Sequence, residues 1–377
     1  MRNTFWISFV ISLFVTAVIV ANFDKEKFMG FAIQSGLMTS SANISEYEFE
    51  QAFMEFVSTY RKSYLSDWEF ENRYRVFKNN YQKVQDHNLN SDMIGFELKI
   101  NQFGDLSQEE FKEIYLTLNA PKKQMKQTLQ GFFEKQKPKK NRFFEFEETE
   151  VNNYPEEIDW SAKGKVQKVK NQGSCGSCWA FSAIGAMESA FALKNGTMVD
   201  LSEQQLVDCS TSYGNEGCNG GFMDYAFKYA QDHPMCTQSQ YPYKGRDQTC
   251  KNSDDKLCGN TFKLTGFEDV QPKSKTSFYS ALSQQPLSIG VCAEGLAWQF
   301  YFRGIVRWLC GSCQDHGVLA VGYGHGGWKI FGETDFVKIK NSWGSGWGES
   351  GYIRVSSSAE TGSGTCGIYE SASFPKF

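Results

Sequence analysis

Cys178 ends the run Gln172-Gly173-Ser174-Cys175-Gly176-Ser177-Cys178 and opens an apolar stretch, Trp179-Ala180-Phe181 onward. That stretch reads as a helix to Lys194, closed by Asn195-Gly196. A cysteine at a helix start meets unpaired backbone N–H groups and the positive end of the macrodipole, and both favour the thiolate, the reactive form. A thiolate near neutral pH needs a proton acceptor, and the chain offers His87, His233, His316 and His325. His87 falls in the leading part of the chain, which leaves three candidates. Taken singly, each has an ordinary reading: a lone cysteine is usually core, a lone histidine usually surface.

The 11 cysteines all lie between Cys175 and Cys366. In an oxidising compartment an odd count suggests five bridges and one thiol with another task. The compartment is suggested by Phe5 to Ala21, an apolar run broken only by Ser8, Ser12 and Thr16, which reads as a secretory signal peptide in residues 1–21 or, uncleaved, as an anchor. Two Cys-Gly-Ser-Cys units, Cys175/Cys178 and Cys310/Cys313, could alternatively bind zinc or exchange disulfides. Zinc ribbons space such pairs roughly 15–20 residues apart, far closer than these two.

The elements that must position this chemistry follow from composition. At about 150 residues per domain, 377 residues make two or three folding units. Hydrophobic residues at 41% and charged residues at 22% exclude a collagen, a wholly disordered chain and a polytopic membrane protein. A net charge of -4 gives no pull toward nucleic acid. Residues 46–118 are rich in Glu, Lys, Phe and Tyr, lack proline and read as mostly helical. Residues 120–142 carry eight Lys or Arg against Glu134, then Glu145, Glu147, Glu148 and Glu150 reverse the sign, the pattern of an exposed linker. After Tyr154 the chain turns cysteine- and glycine-rich, with strand-like runs at Pro286 to Ala293, Gly317 to Tyr323 and Phe336 to Lys340. Helices first and strands later imply a two-part α+β body behind a separate helical segment.

The run from Gln172 to Phe181 resembles the nucleophile motif of papain-like cysteine proteases. His316, in Gln314-Asp315-His316-Gly317, is similar to that family's base and falls within the roughly 130–150 residues expected after the nucleophile. Asn341, in Lys340-Asn341-Ser342-Trp343-Gly344, suits the role of orienting the imidazole, because an amide oxygen can accept its other N–H without adding full charge, and Trp343 could shield that bond. The side-chain N–H of Gln172 and the backbone N–H of Cys178 could stabilise the oxyanion. The resemblance further implies bridges Cys175 to Cys218, Cys209 to Cys250 and Cys310 to Cys366, with Cys236 to Cys258 and Cys292 to Cys313 as additional pairs. The family commonly has an acid at position 292.

Substrate contacts carry over in the same way. Gly221 would pair its backbone with an extended peptide, and Trp347 would wall the leaving-group side. Phe222, Met223, Gly290, Gln314 with its neighbour Asp315, Gly317 and Ser371 match the pocket for the second residue before the scissile bond, roomy and mostly apolar. Glu69, Arg73, Phe77, Asn80, Val84 and Asn88 recur at helical spacings along one stripe. They resemble the propeptide helix of cathepsin L-like zymogens, with Val84 in place of the usual Ile. Asn101-Gln102-Phe103-Gly104-Asp105 resembles the second propeptide motif, although Lys99 stands where glycine is usual.

The implied organisation is a papain-like two-domain body at 154–377, helical on one side and barrel-like on the other, behind an inhibitory propeptide at 46–118 and a cleavable linker at 119–153. The implied activity is endopeptidase, without cofactor or metal. The implied partners are protein and peptide substrates, the chain's own propeptide and cystatin-type inhibitors, with membrane contact only if the N-terminal run is retained. The implied location is the secretory pathway, ending in a lysosome, a vacuole or outside the cell. Asn43-Ile44-Ser45 and Asn195-Gly196-Thr197 fit the glycosylation pattern. Two rivals are a catalytically silent binding protein on the same fold and a thiol oxidoreductase using the repeated CxxC.

Overall fold

The computed structural model describes residues 41–118, 154–252, 256–259, 261–328, 332–359 and 362–377. The N-terminal apolar run and the 119–153 linker lie outside them. No helix among the described residues is long and apolar enough to cross a membrane.

The leading segment begins with α1 (Glu46–Thr59), started by a capping box in which Ser45 and Glu48 satisfy each other's backbone N–H groups. It packs on α2 (Asp67–Asn88), with Phe53 and Phe56 of α1 set 5.2 and 5.0 Å from Phe77 of α2. Burying each such ring stabilises the pair by roughly 1.5–3 kcal/mol. The stripe on α2 does several jobs. Phe77 and Val84 are core, Arg73 reaches Glu110, and Asn80 donates to the carbonyls of Gly104 and Leu106. Asn88 brackets Leu98 by accepting from its N–H and donating to its carbonyl. Glu69 instead accepts from the Leu65 N–H.

Past α3 (Ser91–Ile94), Gly95 adopts φ 93° and turns the chain into β1 (Phe96–Leu98), a strand that the helical composition of this region conceals. The turn Asn101 to Asp105 follows, closed by Lys62 and Tyr64 on the Asp105 carboxylate, and then α4 (Gln108–Tyr115).

The body starts with the short β2 (Ile158–Asp159) and the long α5 (Cys178–Asn195), one residue longer than the sequence implies and capped by Gly196 at φ 79°. α5 is buried nearly all round, as its continuous apolar character demands, among α6 (Glu203–Cys209), α7 (Met223–Asp232) and the sheet. Gly185 admits Leu319 against the helix, an added methyl falling 3.0 Å from its Cδ2.

The sheet comprises β3 (Gly266–Asp269), β4 (Leu287–Val291), β5 (Tyr301–Val306), β6 (His316–Trp328), β7 (Gly332–Lys340), β8 (Tyr352–Ser356) and β9 (Ala372–Lys376), with α8 (Lys275–Leu282) and α9 (Leu296–Phe300) between them. Its order is β1-β5-β8-β7-β6-β4-β9-β3, with β2 also on β6, so β1 of the leading segment extends the sheet of the body. β6 and β7 outrun the sequence reading because the glycine-rich stretch past Tyr323 is held by ladder pairing, His325 opposite Asp335, rather than by apolar alternation. Separate cores lie around α5 and around the sheet, the two-part α+β body implied by element order.

Five disulfides form: Cys175–Cys218, Cys209–Cys250, Cys236–Cys258, Cys292–Cys313 and Cys310–Cys366. Cys178 is the free cysteine. Each Cys-Gly-Ser-Cys unit is thereby split, with no second thiol beside Cys178 and both sulfurs of the Cys310/Cys313 unit bonded elsewhere. This pairing removes the zinc-ribbon and dithiol-oxidoreductase readings for those units.

Candidate active site

Cys178 is the first residue of α5, and its N-cap Ser177 makes no side-chain cap. The Ser177 hydroxyl bonds the Tyr243 hydroxyl at 2.7 Å, leaving the amides of the first turn uncapped by it. His316 opens β6 opposite Val291 of β4, and its neighbour Gly317 lies on Trp179, a methyl there falling 3.2 Å from the Trp179 amide nitrogen. The helix start and the strand start therefore abut, with Gly317 next to Trp179.

Asn341, just past β7, accepts the His316 Nε2–H at 2.8 Å and also accepts from the Ser342 N–H. Nδ1 then carries the lone pair. It has no well-formed hydrogen bond, although the Tyr115 carbonyl lies near enough to favour a protonated ring. Trp343 stacks on the imidazole at 4.6 Å and Trp298 stands edge-on at 6.2 Å. Gln172 is pinned by Ser342 Oγ on its oxygen and by its own amide on the Cys175 carbonyl. The loop carrying Gln172 is anchored by the half-buried Lys170, paired with the buried Glu188 at 2.9 Å and Glu203 at 2.6 Å.

All four groups are buried, and the cover is the leading segment. Phe103, Phe111 and Tyr115 meet the Trp343 indole edge-on at 5.4, 5.2 and 6.2 Å. Asn101 donates to the Gln299 carbonyl at 2.7 Å and Gln102 to the Trp343 carbonyl at 2.9 Å. Thr117 donates to the Gly176 carbonyl at 2.8 Å, its hydroxyl 3.9 Å from Cys178 Sγ, and the Leu118 N–H reaches the Asp315 carbonyl at 2.9 Å. Burial pushes the Cys178 thiol up and draws His316 down to about 4, the Asn341 hydrogen bond only partly opposing the latter. In the covered state burial thus favours the neutral thiol and the neutral imidazole over a thiolate and an imidazolium.

The remaining sequence candidates fall around this centre. A Gly290 methyl would meet Gln314 Oε1 and would lie 3.2 Å from Leu118 Cδ2, so Leu118 occupies the space beside Gly290. Met223 Sδ stands 3.3 Å from a Gly317 methyl, Phe222 is held by Asn215, and the Ser371 carbonyl accepts from the Gly290 N–H. Asp315 accepts from the Ala293 N–H, and burial pushes its carboxyl up to about 6. Trp347 is fully buried and donates to the Trp298 carbonyl. Gly221 packs on Trp179 and Asn215, and it is Gly220 and Gly176 that Thr117 approaches so closely that neither could carry a methyl. Sequence reasoning missed Thr117 and Leu118. The usable signal was their place just after α4, where the chain must leave the cleft.

Residues 154–376 match the family described as papain family cysteine protease, and residues 53–111 match the cathepsin propeptide inhibitor domain. The chain belongs to the papain family of cysteine proteases and is made as a proenzyme with such a propeptide. It is 39% identical to cysteine protease XCP2 of Arabidopsis thaliana, over 86% of this chain and 85% of that one. It is 42% identical to the probable cysteine protease RD21C of the same plant over 74% of this chain, a match spanning 58% of that relative. Among solved structures, digestive procathepsin L 3 of Tenebrio molitor larval midgut superposes with a TM-score of 0.73 and 35% identity, over 89% of this chain and 100% of that one.

Proposed function

We infer that Cys178, His316, Asn341 and Gln172 are the working residues of an endopeptidase that the segment 46–118 holds silent until the 119–153 linker is cut, leaving 154–377 as the active body. The observation that carries this reading is the His316 ring, fixed by Asn341 through one nitrogen while the other keeps its lone pair, at the start of the strand that abuts the Cys178 helix. Once uncovered, the Cys178 proton passes to Nδ1, and the sulfur attacks a peptide carbonyl. The oxyanion is met by the Cys178 N–H and a Gln172 side-chain N–H. Nδ1–H then protonates the leaving amine, and water, deprotonated by the same nitrogen, clears the thioester.

Leu118 beside Gly290 supports a pocket there for the second residue before the scissile bond, with Phe222, Met223, Gly317 and Ser371 around it and Trp347 toward the leaving group. Substrates are proteins and peptides, and cystatin-type inhibitors would compete for the uncovered cleft. Routing through the secretory pathway to a lysosome, a vacuole or the exterior fits five disulfides. Peptides with Leu or Phe at the pocket position are expected to be cut faster by the activated enzyme than the same peptide with Arg, read as kcat/KM across a matched series. The reverse ranking removes the pocket assignment.

A further inference from the structure

Cys292-Ala293-Glu294 follows β4 and Cys313-Gln314-Asp315 leads into β6, so two Cys-X-acid units face each other beyond the Val291–His316 pair. The sulfurs of Cys292 and Cys313 and a carboxylate oxygen of Glu294 lie within 4.8 Å of one another, and Asp315 Oδ2 is 3.1 Å from Cys313 Sγ. The backbone holds this corner together independently of the bridge: the Asp315 N–H donates to the Val291 carbonyl at 3.0 Å and the Ala293 N–H to Asp315 Oδ1 at 2.7 Å. Cys310–Cys366 anchors the same loop from its other end, with the Cys292 N–H on the Cys366 carbonyl at 2.8 Å. Cys313 is partly exposed, giving a reductant access to the bridge. Two thiolates and the Glu294 carboxylate, with Asp315 against Cys313, are a donor set suited to zinc, whose remaining position water can fill.

We propose that reduction of Cys292–Cys313 turns this corner into a zinc site, with Cys292, Cys313 and Glu294 as ligands, and that zinc there restrains the loop leading to His316 and slows the enzyme. A dithiol reductant supplies two electrons and two protons to the Cys292–Cys313 bond and leaves as a cyclic disulfide. Zinc then displaces the two thiol protons to solvent. In the precursor Glu294 also pairs with Lys112 of α4, an exposed ion pair that zinc can displace. Zinc binding stands apart from the catalytic reading, whereas its effect on rate rests on it.

The test uses the full chain carrying Cys178→Ala, oxidised or reduced with dithiothreitol and desalted without oxygen, titrated with zinc against a chromophoric chelator. The expected result is about one zinc bound per reduced chain and none per oxidised chain, loss of that zinc in Cys292→Ser, and at least about ten-fold weaker binding in Glu294→Gln. Glu294→Gln leaves the bridge in place and decides the matter if Cys292→Ser does not fold. No zinc on the reduced chain, or binding unchanged by Glu294→Gln, overturns the site. In the activated wild type, zinc should slow the reduced enzyme more than its Glu294→Gln variant, and equal slowing overturns the regulatory role.

Discussion

His316→Ala in the activated enzyme is expected to lower kcat/KM by about 10^4-fold or more, the scale on which removing one member of a catalytic unit disables the rest. In the proposed mechanism the ring serves twice, taking the thiol proton and delivering it to the leaving amine, and no other histidine is placed to replace it. His325 is an exposed partner of Glu333 and Asp335, and His233 stacks on Tyr229 at the end of α7. Asn341→Ala should cost less, because Trp343 stacked at 4.6 Å still fixes the plane of the ring even when its tautomer is free. Active-site titration alongside kinetics checks both. A His316→Ala enzyme within ten-fold of the parent would remove the assigned base.

The second large effect is on maturation with pH. His87 of α2 lies buried against Phe96, its Nε2–H on the Phe96 carbonyl at 3.0 Å, in the strand that seats the leading segment on β5. Burial draws it down to about 4, as it does His316. Each ring is neutral when covered; His87 released to solvent would titrate near the ordinary value of about 6.5, and uncovering eases the burial that holds His316 down. Their contribution to the closed form is therefore fully present above about pH 6.5 and is lost as pH falls toward 4. At pH 5 this favours opening by at most about 30-fold for His87, and in the same direction for His316. The crossing ion pairs Arg303–Glu97 and Lys112–Glu294 are largely exposed and contribute little. The precursor is thus expected to mature much faster at pH 5 than at pH 7.5. His87→Gln keeps a donor for the Phe96 carbonyl without a titrating ring. It should slow maturation at pH 5 by up to about 30-fold and leave the rate at pH 7.5 unchanged. Equal rates at both pH values for the wild type would show that these rings do not gate the segment.

What was legible in the sequence was local. The Cys178 helix shows itself through an unbroken apolar run and Asn195-Gly196, and the α2 stripe through its spacing of three and four. Phe96-Glu97-Leu98 was hidden because a strand of three residues has no periodicity of its own and exists only through pairing with Gly304 to Tyr301. The hairpin past Tyr323 likewise depends on its partner β7. Thr117 and Leu118 carry no motif. Their place over Cys178 is set by how far the chain must run from α4, anchored at Phe111 on Trp343, along Gly220 and Gly176. Neither did sequence show that covering the site would leave Cys178 and His316 both uncharged, since that follows from burial rather than from residue type.

Labelling of the acid-matured enzyme with an epoxide thiol-protease inhibitor, read by intact mass and peptide mapping, shows whether a single sulfur does the chemistry. A single adduct on Cys178, matched by loss of peptide hydrolysis and absent from a Cys178→Ala chain processed in trans, is the predicted result. An adduct on any other residue, or a Cys178→Ala chain that still cleaves peptides, would contradict it.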